Sequence, residues 1–178
     1  MSGRAPAEVN AIAFDPPVSP HLAAELAGRP VRPADLLGAV RRAAQRHAAV
    51  IVEGVGGLLV PLDADGYDVR ALARELALPV LIAARPTLGT INHTLLTLEA
   101  ARHAGLEVCA VILTPWPRIP ERLHRSNRAT IERLGDVEVG TLPAVARPDR
   151  GLLSAAAGHL PLGRWLGDPR RALACGAA

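Results

Sequence analysis

Apolar runs rich in β-branched residues recur along this chain at an even spacing. They begin near Val50, Pro79, Val108 and Val137, so each run starts about 29 residues after the last. That interval is typical of a strand followed by a crossover helix and a second strand. The runs share their spacing but not their sequence, which argues against a repeat solenoid.

Amphipathic patterns fill the intervals between these runs, and each comes with a residue typical of a helix end. The predicted helices begin at Pro33 and after the caps Asp68, Thr90 and Ser126, and the last two end at Gly105 and Gly135. Weaker patterns predict helices near Ser154 and after Pro169. The segment Val9 to Phe14 is compatible with a short strand.

Alternation of helices and strands predicts an α/β fold, because parallel strands need crossover connections. We expect a doubly wound, mainly parallel sheet with helices on both faces, in a single domain over residues 1–165. Residues 166–178 are predicted to be a mobile tail. The composition is 49% hydrophobic with only two Trp, one Tyr and one Phe, so the core must be aliphatic, which suits helices packed on a parallel sheet.

Charge and cysteine content exclude several classes of function. All 20 basic residues are arginine, the formal net charge is +3 and the pI is ≈ 9.6. The arginines are scattered among acidic residues without a nucleic-acid-binding module, so nucleic acid is not an expected partner. Cys109 and Cys175 lack metal-ligand spacing. The sequence has no secretory signal pattern and no apolar run of membrane-spanning length, so we expect a cytoplasmic protein without a membrane partner.

The segment Ala49 to Leu62 carries the strongest chemical signal. It predicts a buried strand that ends in Glu53 and turns at once through Gly54, Val55 and Gly56. Open α/β sheets bind ligands at the carboxyl ends of their strands, and glycines let backbone amides approach a phosphate closely. Glu53 is therefore a candidate Mg²⁺ ligand. The alternatives are a turn or salt-bridge residue, or a tight turn between two β-strands.

A second candidate site is the segment Leu88 to Thr94, which follows the run at Pro79. It places the start of a helix at the carboxyl end of a strand, where backbone amides and the helix dipole accept a carboxylate or phosphate. Asn92 and His93 can add side-chain donors. An ordinary capped helix is the alternative.

The sequence does not decide the role of two further segments. Thr114 to Pro117 follows the strand predicted over Val108 to Leu113, and the indole of Trp116 either packs against a nucleotide base or shields the loop from water. His21, in the sequence Ser-Pro-His, is either part of the loop structure or a site contact.

The chain contains no lysine and no G-x-x-x-x-G-K-S/T motif. In P-loop NTPases the lysine of that motif reaches the β- and γ-phosphates. The chain thus carries one half of a nucleotide site. We expect the first strand and the P-loop of such a fold to be missing from it.

Together these motifs resemble the dethiobiotin synthetase family, the ATP-dependent enzymes of biotin synthesis. The family signature V-E-G-x-G-G-x-x-x-P-L corresponds to Val52 to Leu62, the substrate loop L-G-x-I-N-H to Leu88 to His93, and S-P-H to Ser19 to His21. The resemblance extends from about Val9 to Val145. Three separated motifs in the family's order are far more specific than a single glycine loop.

The resemblance implies a P-loop NTPase-like fold, a homodimer, and closure of a ureido ring from 7,8-diaminononanoate and CO₂ with ATP and Mg²⁺. It implies that Glu53 binds Mg²⁺. The implied substrate site comprises Gly54, Val55, Leu88, Ile91 and Asn92, with the amides of the last two holding the substrate carboxylate from across the dimer interface. The protein must mainly orient the reactants and neutralise phosphate charge.

The implied nucleotide site departs from the family pattern in several places. It comprises Glu53, Gly54, Val55, Gly56, Thr114, Pro115, Pro143, Ala144 and Val145. Thr114-Pro115 replaces the Asn-Asp with which many members recognise adenine, and Pro143 to Val145 match the later nucleotide loop only loosely. The family's catalytic lysines and its second acidic Mg²⁺ ligand belong to the missing N-terminal region. We therefore assign no catalytic residue and expect this chain to be inactive.

Two explanations of the missing region stay open: a truncated or mis-started gene product, and an intact protein with a lost or altered activity. The alternative function is a non-catalytic dimerisation or regulatory module derived from the same fold. A different P-loop amidoligase is disfavoured by the loop Leu88 to His93.

Overall fold

The computed structural model describes residues 9–15, 17–147 and 149–167. These residues fall into two compact units, which we call the N-terminal unit (residues 9–78) and the C-terminal unit (residues 79–167). Each unit has its own hydrophobic core. The two units are described separately below.

The N-terminal unit contains three helices: α1 (Pro20–Leu26), α2 (Pro33–Ala44) and α3 (Val69–Leu76). Pro33 begins α2 as predicted, because proline at the first helical position has no amide that needs an intrahelical partner. The side chain of Asp68 caps α3 by accepting a hydrogen bond from the Ala71 amide at 2.7 Å. Both predicted helix starts are confirmed. The core of this unit is formed by Ala24, Val31, Leu62 and Leu72.

The predicted strand ending in Glu53 is wrong. Residues 49–54 have no strand conformation, and the side chain of Ile51 is 88% exposed. A strand exists only through the hydrogen-bond ladder that it forms with a neighbour, and no such ladder joins these residues to another described segment. The segment Val9 to Phe14 likewise forms no strand where it is described.

The C-terminal unit is built on a parallel sheet of three strands: β1 (Val80–Ala84), β2 (Val108–Trp116) and β3 (Val139–Pro143). Their order in the sheet is the order in the chain, and both pairings are parallel. Connecting helices are α4 (Thr90–His103) and α5 (Arg122–Gly135), and α6 (Arg150–Ala157) and α7 (Leu162–Leu166) follow β3. Three of the four predicted strands and the parallel α/β arrangement are therefore confirmed.

Helices cover both faces of this sheet. On one face, α4 and α5 pack over a core formed by Leu98, Val111, Leu113, Ile131 and Val139. On the other, Trp165 of α7 lies so close to Gly140 that a Cβ atom there would come within 2.6 Å of the indole. Successive residues of β3, Val139 and Gly140, thus face opposite layers, as a strand requires.

Two predicted helix starts in this unit need correction. Gly89, not Thr90, is the N-cap of α4, because the Thr90 hydroxyl lies in the interior against that of Thr94. Helix α5 begins at Arg122, four residues before Ser126. Its N-cap is Glu121, whose amide donates to the imidazole of His124. The predicted helix near Ser154 is α6. The helix predicted after Pro169 and most of the predicted tail lie outside the described residues.

Candidate functional site

The glycine loop of the N-terminal unit folds back on the start of α3. The amide of Arg70 donates to the carbonyl of Leu58 at 2.9 Å, and Pro61 pairs with Asp68 in an isolated antiparallel bridge. These contacts fix the end of the loop on a capped helix. Glu53 and the glycines after it therefore lie in a loop, not at the end of a sheet strand.

The packing and backbone conformation of this loop favour glycine at two of its positions. A Cβ atom on Gly54 would come within 2.5 Å of a methyl group of Val69. Gly56 has a φ of 87°, a conformation that side chains disfavour, and a Cβ atom there would come within 3.0 Å of Val60. Close approach to a ligand is thus not the only explanation for glycine here.

The same loop exposes donors that a phosphate could use. Residues 53–56 are all exposed, and the amides of Gly54, Val55 and Gly56 donate to no backbone acceptor in the described parts of the chain. Around Glu53, as elsewhere among residues 9–15, 17–147 and 149–167, no cluster of three His, Cys, Asp or Glu side chains could hold a metal ion. Mg²⁺ is usually bound by one or two carboxylates together with substrate phosphates, so a single exposed carboxylate beside available amides fits this cation.

In the C-terminal unit, the start of α4 presents backbone amides. Gly89 has a φ of 90° and its carbonyl accepts the first helical hydrogen bond, from His93 at 3.2 Å. The amides of Ile91 and Asn92 precede that bond and so have no partner one turn back in the helix. Leu88 is 86% exposed and Asn92 is also exposed. This end of the helix can accept an anion.

The segment Thr114 to Trp116 belongs to β2 and is not the loop that the sequence predicts. The strand continues to Trp116 through a change of register, and the Thr114–Pro115 peptide is cis. The half-buried indole packs edge-on against the imidazole of His124, with ring centroids 6.0 Å apart. Contact with His124 favours the shielding role of Trp116 without excluding contact of its outer edge with a ligand.

Three predicted site segments meet at the carboxyl edge of the three-stranded sheet. Ala84, where β1 ends, pairs with Leu113, and Trp116 pairs with Pro143 at the end of β3. The loop before α4, the end of β2 and residues 143–145 therefore emerge side by side. This edge is where open parallel sheets bind their ligands.

His21 lies in the N-terminal unit as the second residue of α1 and is half-buried. Its Nδ1 atom is shielded from solvent and has no hydrogen-bond partner among the described residues. The structure therefore gives no ligand-facing geometry for His21, and its role stays open.

One buried polar residue of the C-terminal unit is not among the predicted site residues. Asn127 is 5% exposed on α5, and its side-chain amide donates to the carbonyls of Pro86 and Thr87, both at 3.2 Å. These carbonyls belong to the loop that leads into α4. The sequence carries one sign of this role. Asn127 lies one helical turn before Ile131, so a polar residue occupies a position in the apolar stripe of α5.

Two half-buried titratable side chains are not among the predicted site residues. Burial, reinforced by the nearby carboxylate of Glu75, raises the pKa of Tyr67 well above its ordinary value. Burial also raises the pKa of the Cys109 thiol, with a smaller contribution from Glu107. Both groups stay protonated near neutral pH, so Cys109 is not an activated nucleophile.

Comparison with known proteins agrees with this fold and these motifs. Residues 3–149 match the model of the AAA domain family. Over 140 residues the chain is 38% identical to the ATP-dependent dethiobiotin synthetase BioD of Bacillus subtilis (strain 168), a match that covers 78% of this chain and 60% of the relative. It is 39% identical to the Streptomyces coelicolor protein of the same name over 158 residues, covering 88% of this chain and 65% of the relative.

The match covers a slightly larger share of a third relative. The ATP-dependent dethiobiotin synthetase BioD of Anaeromyxobacter dehalogenans (strain 2CP-C) is 42% identical over 151 residues, which is 83% of this chain and 67% of that protein. The chain therefore belongs to the AAA domain family and, within it, to the dethiobiotin synthetase family. It spans about three fifths of the length of the Bacillus subtilis relative. No helix in the described ranges is both long and apolar enough to cross a bilayer.

Proposed function

We propose that this chain supplies part of a dethiobiotin synthetase site, which closes a ureido ring from 7,8-diaminononanoate and CO₂ with ATP and Mg²⁺. One observation carries the proposal. The loop L-G-x-I-N-H, the end of β2 and the end of β3 meet at the ligand-binding edge of a parallel sheet, in a chain whose relatives are named dethiobiotin synthetases. The relatives are named as ATP-dependent enzymes, and this favours a cytoplasmic location.

The start of α4 is the proposed binding site for the substrate carboxylate. The amides of Ile91 and Asn92 have no partner one turn back, and the positive end of the helix dipole favours a negative group beside them. Thr90 and Thr94 are buried, so the first turn is anchored from within. Leu88 is exposed next to the amides and can contact the aliphatic chain of the substrate.

The proposed nucleotide contacts belong to two motif groups, one in each unit. Thr114, Pro115 and residues 143–145 would contact the base and ribose side, because they emerge together at the sheet edge. Gly54, Val55 and Gly56 would face the phosphates with amides that lack backbone acceptors in the described residues. Thr114-Pro115 offers different donors from Asn-Asp, so we expect weaker discrimination between purine bases than in relatives with that pair.

Glu53 is the proposed Mg²⁺ ligand. When bound there, the cation neutralises charge on the phosphates and so favours phosphoryl transfer. Glu53 itself contributes an exposed carboxylate at the entrance of the glycine loop. The next residue, Gly54, packs closely against Val69, which restrains the backbone beside Glu53.

We further propose that the protein is a homodimer in which α4 lies at the two-fold interface. In this helix Leu98 is buried in the core, whereas Leu96 is 56% exposed, and the preceding Leu88 is 86% exposed. A helix with apolar residues on a second, exposed side has surface available for a partner. The α4 amides of one subunit would then complete the pocket of the other.

The test is binding of 7,8-diaminononanoate to the purified 178-residue chain, measured by isothermal titration calorimetry. Asn92→Asp should weaken binding about tenfold, because it places a negative charge beside the substrate carboxylate. The same change should slightly stabilise the helix, since acidic residues favour the first turn. Asn10→Asp makes the same chemical change at an exposed residue of the N-terminal unit and should leave binding unchanged. Failure of the wild-type chain to bind would contradict the proposal.

ATP-dependent turnover separates the proposal from its alternative, a non-catalytic dimerisation or regulatory module. The 178-residue chain should show no turnover, because it has neither the P-loop motif nor a lysine to stabilise the transferring phosphate. A fusion in which a P-loop segment from the family precedes the chain should turn over. If the fusion binds substrate and ATP but stays inactive, the module function is favoured.

A further inference from the structure

Asn127 occupies a position that an apolar side chain would normally fill. It lies on the core-facing side of α5, one turn before Ile131, whose side chain is fully buried. Asn127 itself is 5% exposed. A buried amide is unfavourable unless its hydrogen bonds are satisfied, so its presence calls for specific partners.

The partners of Asn127 are two consecutive carbonyl groups of another element. Nδ2 donates to the carbonyl oxygens of Pro86 and Thr87, each at 3.2 Å, across sequence separations of 41 and 40 residues. An amide group has two N–H donors, so one side chain can satisfy both carbonyls. Two bonds to adjacent peptide groups fix the direction of the loop as well as its position.

The Thr87 carbonyl also belongs to the start of α4. It accepts a hydrogen bond from the Thr90 amide at 3.2 Å, in the turn around Gly89 that leads into the helix. The Thr90 hydroxyl in turn lies 3.4 Å from that of Thr94 in the interior. Asn127 is therefore connected through a single carbonyl to the first turn of α4.

We propose that Asn127 is a positioning residue that fixes the first turn of α4 and thereby orients the amides of Ile91 and Asn92. The functional part of this inference rests on the proposed function, in which those amides bind the substrate carboxylate. Asn127 contacts neither substrate nor nucleotide. Its effect is to hold the donors in a binding geometry before the ligand arrives.

The experiment measures backbone amide hydrogen exchange in the 178-residue chain by NMR. Asn127→Asp is nearly isosteric but removes both donors and turns a carboxylate toward two carbonyl groups. Asn127→Ala removes the donors without adding charge and serves if the first variant does not fold. Ile131→Val is the matched control, because it weakens the same core one turn away and leaves the hydrogen bonds from Asn127 to the loop in place.

We expect either Asn127 variant to accelerate exchange of the hydrogen-bonded amides of the first turn, those of Thr90 and His93, by about tenfold relative to the rest of the C-terminal unit. Ile131→Val should accelerate exchange evenly across the unit. Protonation of the carboxyl introduced by Asn127→Asp restores one donor, so the loop resonances should return toward wild-type positions as the pH is lowered. A uniform acceleration, or none, in both Asn127 variants would overturn the positioning role.

Calorimetric titration with 7,8-diaminononanoate then separates the two proposals. If wild type binds, the Asn127 variant should weaken binding about tenfold, matching the loss of loop protection, whereas Ile131→Val should bind as wild type does. Local acceleration of exchange without any binding by wild type would leave the positioning role standing and reject the proposed function. Binding that is unchanged despite a loosened loop would overturn the functional part of the inference.

Discussion

At single positions, backbone conformation decides which residues are tolerated, and Gly89 is a clear case. Its φ of 90° lies in the region that side chains disfavour. We expect Gly89→Ala to lower the free energy of unfolding by roughly 1–2 kcal/mol, measured by urea denaturation. Gly163→Ala is the control in the same unit, because a methyl group there meets nothing within 4 Å. Equal losses in the two variants would mean that strain at Gly89 is not the cause.

Glu53 is the residue on which the proposed metal chemistry depends. In the fusion with a P-loop segment, Glu53→Gln should abolish Mg²⁺-dependent turnover and leave the unfolding transition unchanged. The exchange keeps the shape of the side chain but removes the charge that the cation needs. Glu25→Gln, at another exposed glutamate of the N-terminal unit, should retain full activity. If Glu53→Gln keeps most of its kcat, Glu53 is only a loop residue.

Among the elements, α3 shows how one cap stabilises the helix that supports the glycine loop. Asp68 accepts from the Ala71 amide and lies 3.0 Å from the guanidinium group of Arg70. Asp68→Ala should cost about 1 kcal/mol of stability through loss of the cap. Asp68→Asn keeps an acceptor and loses only an ion pair with a partly exposed arginine, so its cost should be smaller. Urea denaturation of both variants checks the order, and equal losses would assign the effect to the ion pair.

Local patterns predicted the elements that local forces determine. The starts of α2 and α3 follow from Pro33 and Asp68, and the strands near Val80, Val108 and Val139 follow from apolar runs between helices. The pattern at Val50 to Val52 is equally apolar, yet no strand forms there. Strand formation depends on a pairing partner, which no periodicity within the segment can reveal.

The candidate site was predictable for a different reason. Glu53, the glycine loop and the substrate loop were found through motifs, whereas their geometry follows from contacts distant in sequence. Asn127 reaches a loop 40 residues away, and the buried hydroxyl of Thr90 was mistaken for a cap. A polar residue in an apolar stripe signals a buried hydrogen bond but does not identify its partner.

For the whole molecule, the central prediction concerns how two copies of the chain share their sites. If α4 lies at a two-fold interface, each pocket takes Glu53 from one subunit and the amides near Asn92 from the other. Fusions carrying Glu53→Gln and Asn92→Asp should each be nearly inactive as homodimers. In a heterodimer of the two, both defects fall in one pocket and the other pocket is intact.

Mixing the two inactive fusions should therefore restore activity. Random exchange of subunits yields about half heterodimers, each with one sound site, so recovery should approach one quarter of the wild-type turnover per subunit. Turnover measured after mixing, with heterodimers verified by mass spectrometry, checks this value. The control mixes Glu53→Gln with unfused chain carrying the same substitution, which leaves no sound pocket and should recover nothing. Absence of recovery in verified heterodimers would place Glu53 and Asn92 in the same subunit's site and would exclude the shared pocket.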